Sequence, residues 1–111
     1  MELHQHDLNG VIVMEVKGRI DSVTAPDFRG RIDAILSAPQ SRLLLDMQRL
    51  EYISSAGFRI LYLAARRTGE GGGSLAICGL SDTVRELFAI AGFLKHFRIF
   101  ASREEGVGAL Q

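Results

Sequence analysis

The sequence predicts an α/β fold, a mixed and mostly parallel β-sheet packed with about four helices. Two observations lead there. Short apolar runs at Val11 to Val16, Leu43 to Leu45 and Ser74 to Cys78 alternate with stretches of helical periodicity. A strand, then a helix, then a strand implies a crossover, and a crossover joins parallel neighbours. The chain has 111 residues, 47% apolar and 23% charged. That is the size and composition of one domain over residues 1–111, folded around its own core. No internal repeat or composition break divides it.

Val11-Ile12-Val13-Met14-Glu15-Val16 is β-branched and apolar and fits a strand buried on both faces, closed by Gly18. Leu3 to Leu8 forms a strand before it, and Asn9-Gly10 between the two is a hairpin signal. Thr24 is placed to cap the first helix, Pro26 suits its first turn, and Asp27 complements its dipole. Phe28, Ile32, Ile35 and Leu36 repeat at helical spacing, and Pro39 closes the segment. Leu43 to Asp46 reads as a buried strand. A central helix opens near Ser55, runs through Phe58 to Ala65, and ends at Arg66-Arg67, with a Gly-rich loop over 69–73. After the strand Ser74 to Cys78, Ser81 or Asp82 caps a helix whose apolar residues Val84, Leu87, Phe88 and Ala91 fall at i, i+3, i+4 and i+7. Gly92 ends it. Phe97 to Phe100 is a last strand, and Ser102 to Leu110 a terminal helix.

Thirteen basic and thirteen acidic side chains cancel to a formal net charge of zero. No long-range field draws the chain to nucleic acid or to an anionic membrane. Cys78 is the only cysteine, which excludes an intramolecular disulfide and fits a reducing compartment. Residues 1–9 carry neither the basic start nor the apolar run of a signal peptide, and no apolar stretch reaches the roughly 20 residues of a membrane helix. The expectation is a soluble, cytoplasmic domain.

The candidate site is Ser54-Ser55 at the start of the central helix. A serine there serves as an N-cap, its hydroxyl accepting a backbone N–H. A helix N-terminus also favours negative charge and is a natural seat for a phosphate. The two roles coexist when each serine takes one. A serine hydrolase is disfavoured. The Gly-x-Ser-x-Gly elbow is absent, because Ile53 stands two residues before Ser55, and no spacing singles out His4, His6 or His96 as a base. The glycines of 69–73 lack the Lys-Ser/Thr of a phosphate loop and read as a turn. His4 and His6 have no third ligand at a useful spacing, so no metal is expected. Cys78 reads as a small buried hydrophobe. Asp21 and Asp46 each end a strand, either as turn and cap residues or as part of a polar edge shared with Ser55.

Gly18-Arg19-Ile20-Asp21, Leu43 to Asp46, and Leu50-Glu51-Tyr52-Ile53-Ser54-Ser55-Ala56-Gly57-Phe58 together resemble the STAS domain of anti-sigma factor antagonists. Gly72 to Cys78 is similar to that family's fourth strand, and Leu87 to Phe93 to its helix-then-glycine ending. The resemblance spans essentially the whole chain. It implies a partner switch without catalysis or cofactor. The unphosphorylated antagonist binds a serine protein kinase that doubles as an anti-sigma factor. Phosphorylation releases it, and a metal-dependent, PP2C-type phosphatase resets it. The family motif is usually Asp-Ser-Ser/Thr-Gly-Leu. Gly57-Phe58 fall on its Gly-Leu, which puts the modified serine at Ser55. Ser54 stands where the family often has Asp, and Arg59 where a small residue is common. Asp21, Ser54, Gly57, Phe58 and Arg59 are the implied partner surface of a monomer. The alternative is a non-phosphorylated adaptor or scaffold subunit, for example in a lipid-transport complex.

Overall fold

The computed structural model describes residues 1–111. Its elements are β1 (Glu2–Leu8), β2 (Val11–Ile20), α1 (Ala25–Leu36), β3 (Arg42–Asp46), β4 (Leu50–Ile53), α2 (Ser55–Glu70), β5 (Ser74–Cys78), α3 (Asp82–Ile90), β6 (Arg98–Phe100) and α4 (Arg103–Leu110). The sheet runs β1-β2-β3-β5-β6, with β4 also paired to β2. Only β1 is antiparallel to its neighbour. The hairpin that reverses it turns at Asn9 and Gly10, both at positive φ. That geometry matches the right-handed twist of the flanking strands.

Alternation along the strands explains why they read as continuous apolar runs. Met14, Val16, Leu43, Leu45, Leu75 and Ile77 face one side, in a core closed by Phe28 and Ile32 of α1, Phe58, Leu61 and Ala64 of α2, and Val84 and Phe88 of α3. Val11, Val13, Leu44, Ala76 and Cys78 face the other side, where Val107 and Leu110 of α4 cover them. With both faces roofed, the middle stretches of the inner strands carry apolar residues at successive positions, as at Val11 to Met14, Leu43 to Leu45 and Leu75 to Cys78. Burial pushes the Cys78 thiol up to about 12, and the Asp46 carboxylate adds to the shift. The thiol therefore stays protonated and unreactive at neutral pH.

The structure revises the sequence reading at three places. Gly18 does not close β2. At φ +102° it carries the strand through a bulge, and β2 continues to Ile20. Past the bulge β2 takes a new partner, β4, which the sequence reading did not assign as a strand. Gly18↔Leu50, Arg19↔Tyr52 and Ile20↔Ile53 pair in parallel. Second, α2 does not end at Arg66-Arg67 but runs to Glu70, because no residue leaves helical φ before the Gly71-Gly72 turn, where Gly72 has φ +75°. Third, the Thr24 side chain does not cap α1. Its hydroxyl accepts from Asp21 N–H at 2.9 Å and donates to Arg19 C=O at 2.8 Å, bracing the loop before the helix.

At the carboxyl ends of the strands, Arg103 opens α4 and ties three elements together. Its Nε and Nη2 donate to Asp46 Oδ2 at 3.0 and 2.7 Å, and Nη2 also reaches Glu15 Oε2 at 3.0 Å. Nη1 lies 3.2 Å from His6 Nε2. The hydrogen bond to Asp46 is the main reason the Arg103 guanidinium is held above its usual pKa. The Asp46 side chain is only 6% exposed. Removing its partner strands a buried carboxylate, which costs far more than losing a surface pair. Arg103→Ala is therefore expected to lower unfolding free energy by about 2 kcal/mol in urea titrations. Lys17→Ala breaks only the exposed 3.6 Å pair with Glu2 and should stay within about 0.5 kcal/mol of the parent. Equal effects from the two would remove the assigned role of the Arg103 cluster.

Candidate functional site

The site is built where β2, β4 and α2 meet. Ser54 N–H donates to Ile20 C=O at 2.8 Å, so the end of β4 is stitched to the end of β2 immediately before the helix begins. Ser54 has extended backbone, φ −86° and ψ 173°, and its hydroxyl accepts from Gly57 N–H at 3.4 Å. It is the N-cap of α2. Ser55 is the first helical residue and is exposed. Ser54 thus takes the capping role and satisfies an orphan amide, while Ser55 presents an exposed hydroxyl at the positive end of a 16-residue helix.

Gly57 and Phe58 set how α2 lies on the sheet. Both are buried, and a Cβ on Gly57 would stand 2.6 Å from Ile53 Cγ1 and 2.8 Å from Ile20 Cγ2. The first turn of α2 therefore touches β2 and β4 through a glycine, while Ala56 on the next side of the helix is half-buried. Phe58 packs edge-to-face on Phe88 at 4.9 Å and stacks on Phe93 at 5.2 Å with the rings 3° from parallel. Arg59, one turn after Ser55, is exposed and forms no ion pair, whereas Arg29, Arg49, Arg66, Arg67 and Arg103 all do.

Asp21 directly follows Ile20, the residue bonded to Ser54, and so lies beside the start of α2. Its Oδ1 accepts from Val23 N–H at 3.0 Å and Thr24 N–H at 3.1 Å. The Thr24 bond is the main reason its carboxyl sits below the usual range. Asp46 does not share this edge. It points to the opposite face of the sheet and is held by Arg103. His4 and His6 lie exposed on β1 and belong to that other face. No three His, Cys, Asp or Glu side chains are grouped to hold a metal ion.

Sequence reasoning missed the feature beside Ser55. Ser55, Phe58, Arg59 and Tyr62 of α2, with Ala91, Phe93 and His96 of the segment after α3, line an open groove of about 550 Å³. Its surface is mostly ring and methyl. The signal lay in Phe93, which the helix periodicity of α3 does not include. It reaches the groove because Gly92, at φ +78°, turns the chain back and lets Phe93 N–H bond Phe88 C=O at 2.8 Å. Nearby, the Arg19 guanidinium lies 4.5 Å from the centre of the Tyr52 ring, a cation–π contact beside the same helix start.

A family model described as the STAS domain matches residues 3–106. The chain belongs to the STAS domain family. Among STAS relatives, BtrV of Bordetella bronchiseptica, provisionally named an anti-sigma factor antagonist, is 34% identical over 111 residues, covering 100% of this chain and 96% of that protein. The anti-sigma-F factor antagonist RsfB of Mycobacterium tuberculosis is 25% identical over 101 residues, covering 91% of this chain and 82% of RsfB. The crystal structure of an anti-sigma factor antagonist from Mycobacterium paratuberculosis superposes with a TM-score of 0.86 at 26% identity, covering 98% and 92% of the two chains. The STAS match and these neighbours agree with the predicted α/β class: a mixed, mostly parallel sheet with four helices. No helix of this STAS domain is long and apolar enough to cross a membrane.

Proposed function

We propose that the chain is an anti-sigma factor antagonist worked by phosphorylation of Ser55, without catalysis of its own. Unphosphorylated, it docks on a serine protein kinase that is also the anti-sigma factor. Phosphorylated, it is released, and a PP2C-type phosphatase restores it. One observation carries the reading: Ser54 is engaged as the cap, while its neighbour Ser55 is exposed at the helix start. Relatives named as anti-sigma factor antagonists along nearly the full chain support it.

The surface around Ser55 supplies the binding face. Asp21 and Ser54 shape its edge, Gly57 and Phe58 set the height of the helix beneath it, and Arg59 offers an uncommitted positive charge. Phosphorylation adds about −1.5 to −2 charges and three acceptor oxygens, with the helix dipole to offset part of that charge in the free protein. In a complex the same charge must be desolvated against a partner surface shaped for a hydroxyl.

The test is labelling by the cognate kinase followed by peptide mass spectrometry on wild type, Ser54→Ala and Ser55→Ala. Phosphate is expected on Ser55 alone and is lost only in Ser55→Ala. Ser54→Ala should instead melt earlier, by about 0.5–1 kcal/mol, the low side of cap values because its bond is long. Phosphate on Ser54, or label persisting in Ser55→Ala, would overturn the assignment.

A further inference from the structure

We propose, on the footing of the partner switch above, that the groove beside Ser55 receives an apolar side chain of the kinase flanked by carboxylates, and that Arg59 is its charge anchor. The groove is built before any partner arrives. Phe58 is clamped edge-to-face by Phe88 and stacked on Phe93, and Tyr62 meets Phe93 at 6.4 Å with the rings 61° apart. Phe93 in turn contacts Phe97 at 5.9 Å and His96 at 5.6 Å. Rings held on several sides offer large contact area with little rotamer freedom left to lose. Tyr62 is nonetheless 41% exposed, and Ile90, next to Ala91, is 76% exposed. Tyr62 thus leaves a large ring surface open inside the concavity that also contains the proposed phosphoacceptor, and Ile90 extends the exposed apolar surface just outside it.

Charge decides the kind of occupant. No carboxylate lines the groove, and its one formal charge is Arg59. Arg29, Arg66 and Arg67 on the two helix surfaces nearby are already paired with Asp33 or Glu70. Arg59 is not, so a partner carboxylate meets a guanidinium with no internal competitor. A basic segment would meet only repulsion. A second copy in a two-fold contact would set Arg59 against Arg59, an unfavourable pairing at an isologous interface.

The arrangement also gives phosphorylation a second effect beside its own bulk. Ser55 and Arg59 are i and i+4 on α2, close enough to pair. A phosphate on Ser55 draws Arg59 away from the partner's carboxylate and places negative charge where that carboxylate must sit. One modification then removes the attraction and adds a repulsion.

The experiment needs no kinase. Isotope-labelled protein is titrated by NMR with acetyl-Asp-Leu-Leu-Asp-amide and, in parallel, with acetyl-Lys-Leu-Leu-Lys-amide. The acidic peptide is expected to shift the amides of Arg59, Tyr62, Phe93 and His96 and to bind about fivefold more tightly than the basic one. Arg59→Glu should reverse the preference while leaving the rest of the spectrum in place. Equal affinity for the two peptides, no binding of either, shifts centred elsewhere, or peptide-free shifts of the groove that grow with protein concentration would each overturn the proposal, the last in favour of a second copy. Because no phosphorylation is involved, failure here leaves the Ser55 switch intact. Conversely, absence of phosphate on Ser55 would leave a groove with the measured preference.

Discussion

Placing a negative charge at Ser55 is expected to weaken docking on the kinase strongly, while Ser55→Ala leaves it intact. Ser55 is exposed at the first position of α2, so alanine removes a hydroxyl that makes no cap, and the helix keeps Ser54 as its N-cap. A phosphate there costs the complex about 4 kcal/mol, roughly three powers of ten in affinity, once its desolvation and the loss of Arg59 to it are counted. Ser55→Glu carries one charge instead of nearly two and lacks the tetrahedral oxygens. It should weaken binding less, by about ten- to a hundredfold. Isothermal calorimetry of wild type, Ser55→Ala and Ser55→Glu against the purified kinase gives the ordering directly. Equal affinities for all three would remove charge as the basis of release. The alanine chain doubles as bait, because a kinase that cannot phosphorylate it has no step that releases it.

The elements that the sequence announces are those specified by neighbours in the chain. The Asn9-Gly10 turn, the apolar stripe of α1, a serine cap at the start of α2, the Ser81 or Asp82 cap of α3, which the structure gives to Ser81, and the glycine ending of α3 all follow from spacing and from local hydrogen-bond chemistry. β4 did not, because four residues give too short an alternation to separate from a loop. What makes Leu50–Ile53 a strand is the bulge at Gly18, which frees the end of β2 to pair with it. Arg103 was equally opaque. Its partners Asp46 and Glu15 lie 57 and 88 positions away, and only closure of the sheet brings them within 3.0 Å. At the site itself, the helix start at Ser55 was legible, since a cap and a first turn are local. The groove was not, because Tyr62 and Phe93 belong to different periodicities and meet only when the segment after α3 folds back over α2, where Phe93 touches both Tyr62 and Phe58.

Two glycines in the same helix are expected to respond to alanine with opposite signs, and a larger residue at the first is expected to unseat α2. Any Gly→Ala change inside a helix removes backbone freedom from the unfolded chain, worth about 0.5–1 kcal/mol in favour of the folded state. At Gly69 a new Cβ meets nothing within 4 Å, so Gly69→Ala should show that gain undiminished. At Gly57 the new Cβ stands 2.6 Å from Ile53 Cγ1, 2.8 Å from Ile20 Cγ2 and 3.1 Å from Ile53 Cδ1. Both isoleucines are buried, β-branched and held in the strands on which α2 rests, so neither swings aside without disturbing the core. Overpacking of this kind costs about 1–3 kcal/mol, which exceeds the entropic gain, and Gly57→Ala should destabilise by about 1–2 kcal/mol net. Gly57→Val adds two methyl groups to the same clash and the poorer helix propensity of a β-branched residue, and should cost about 3 kcal/mol or more. Urea unfolding of the three variants against wild type measures the series. If α2 relieves the clash by lifting its first turn, Ser55 moves with it, and Gly57→Ala should lose kinase labelling as well as stability. A stabilised Gly57→Ala chain would mean that α2 is not seated on Ile20 and Ile53, and that the height of Ser55 is set by something other than this glycine.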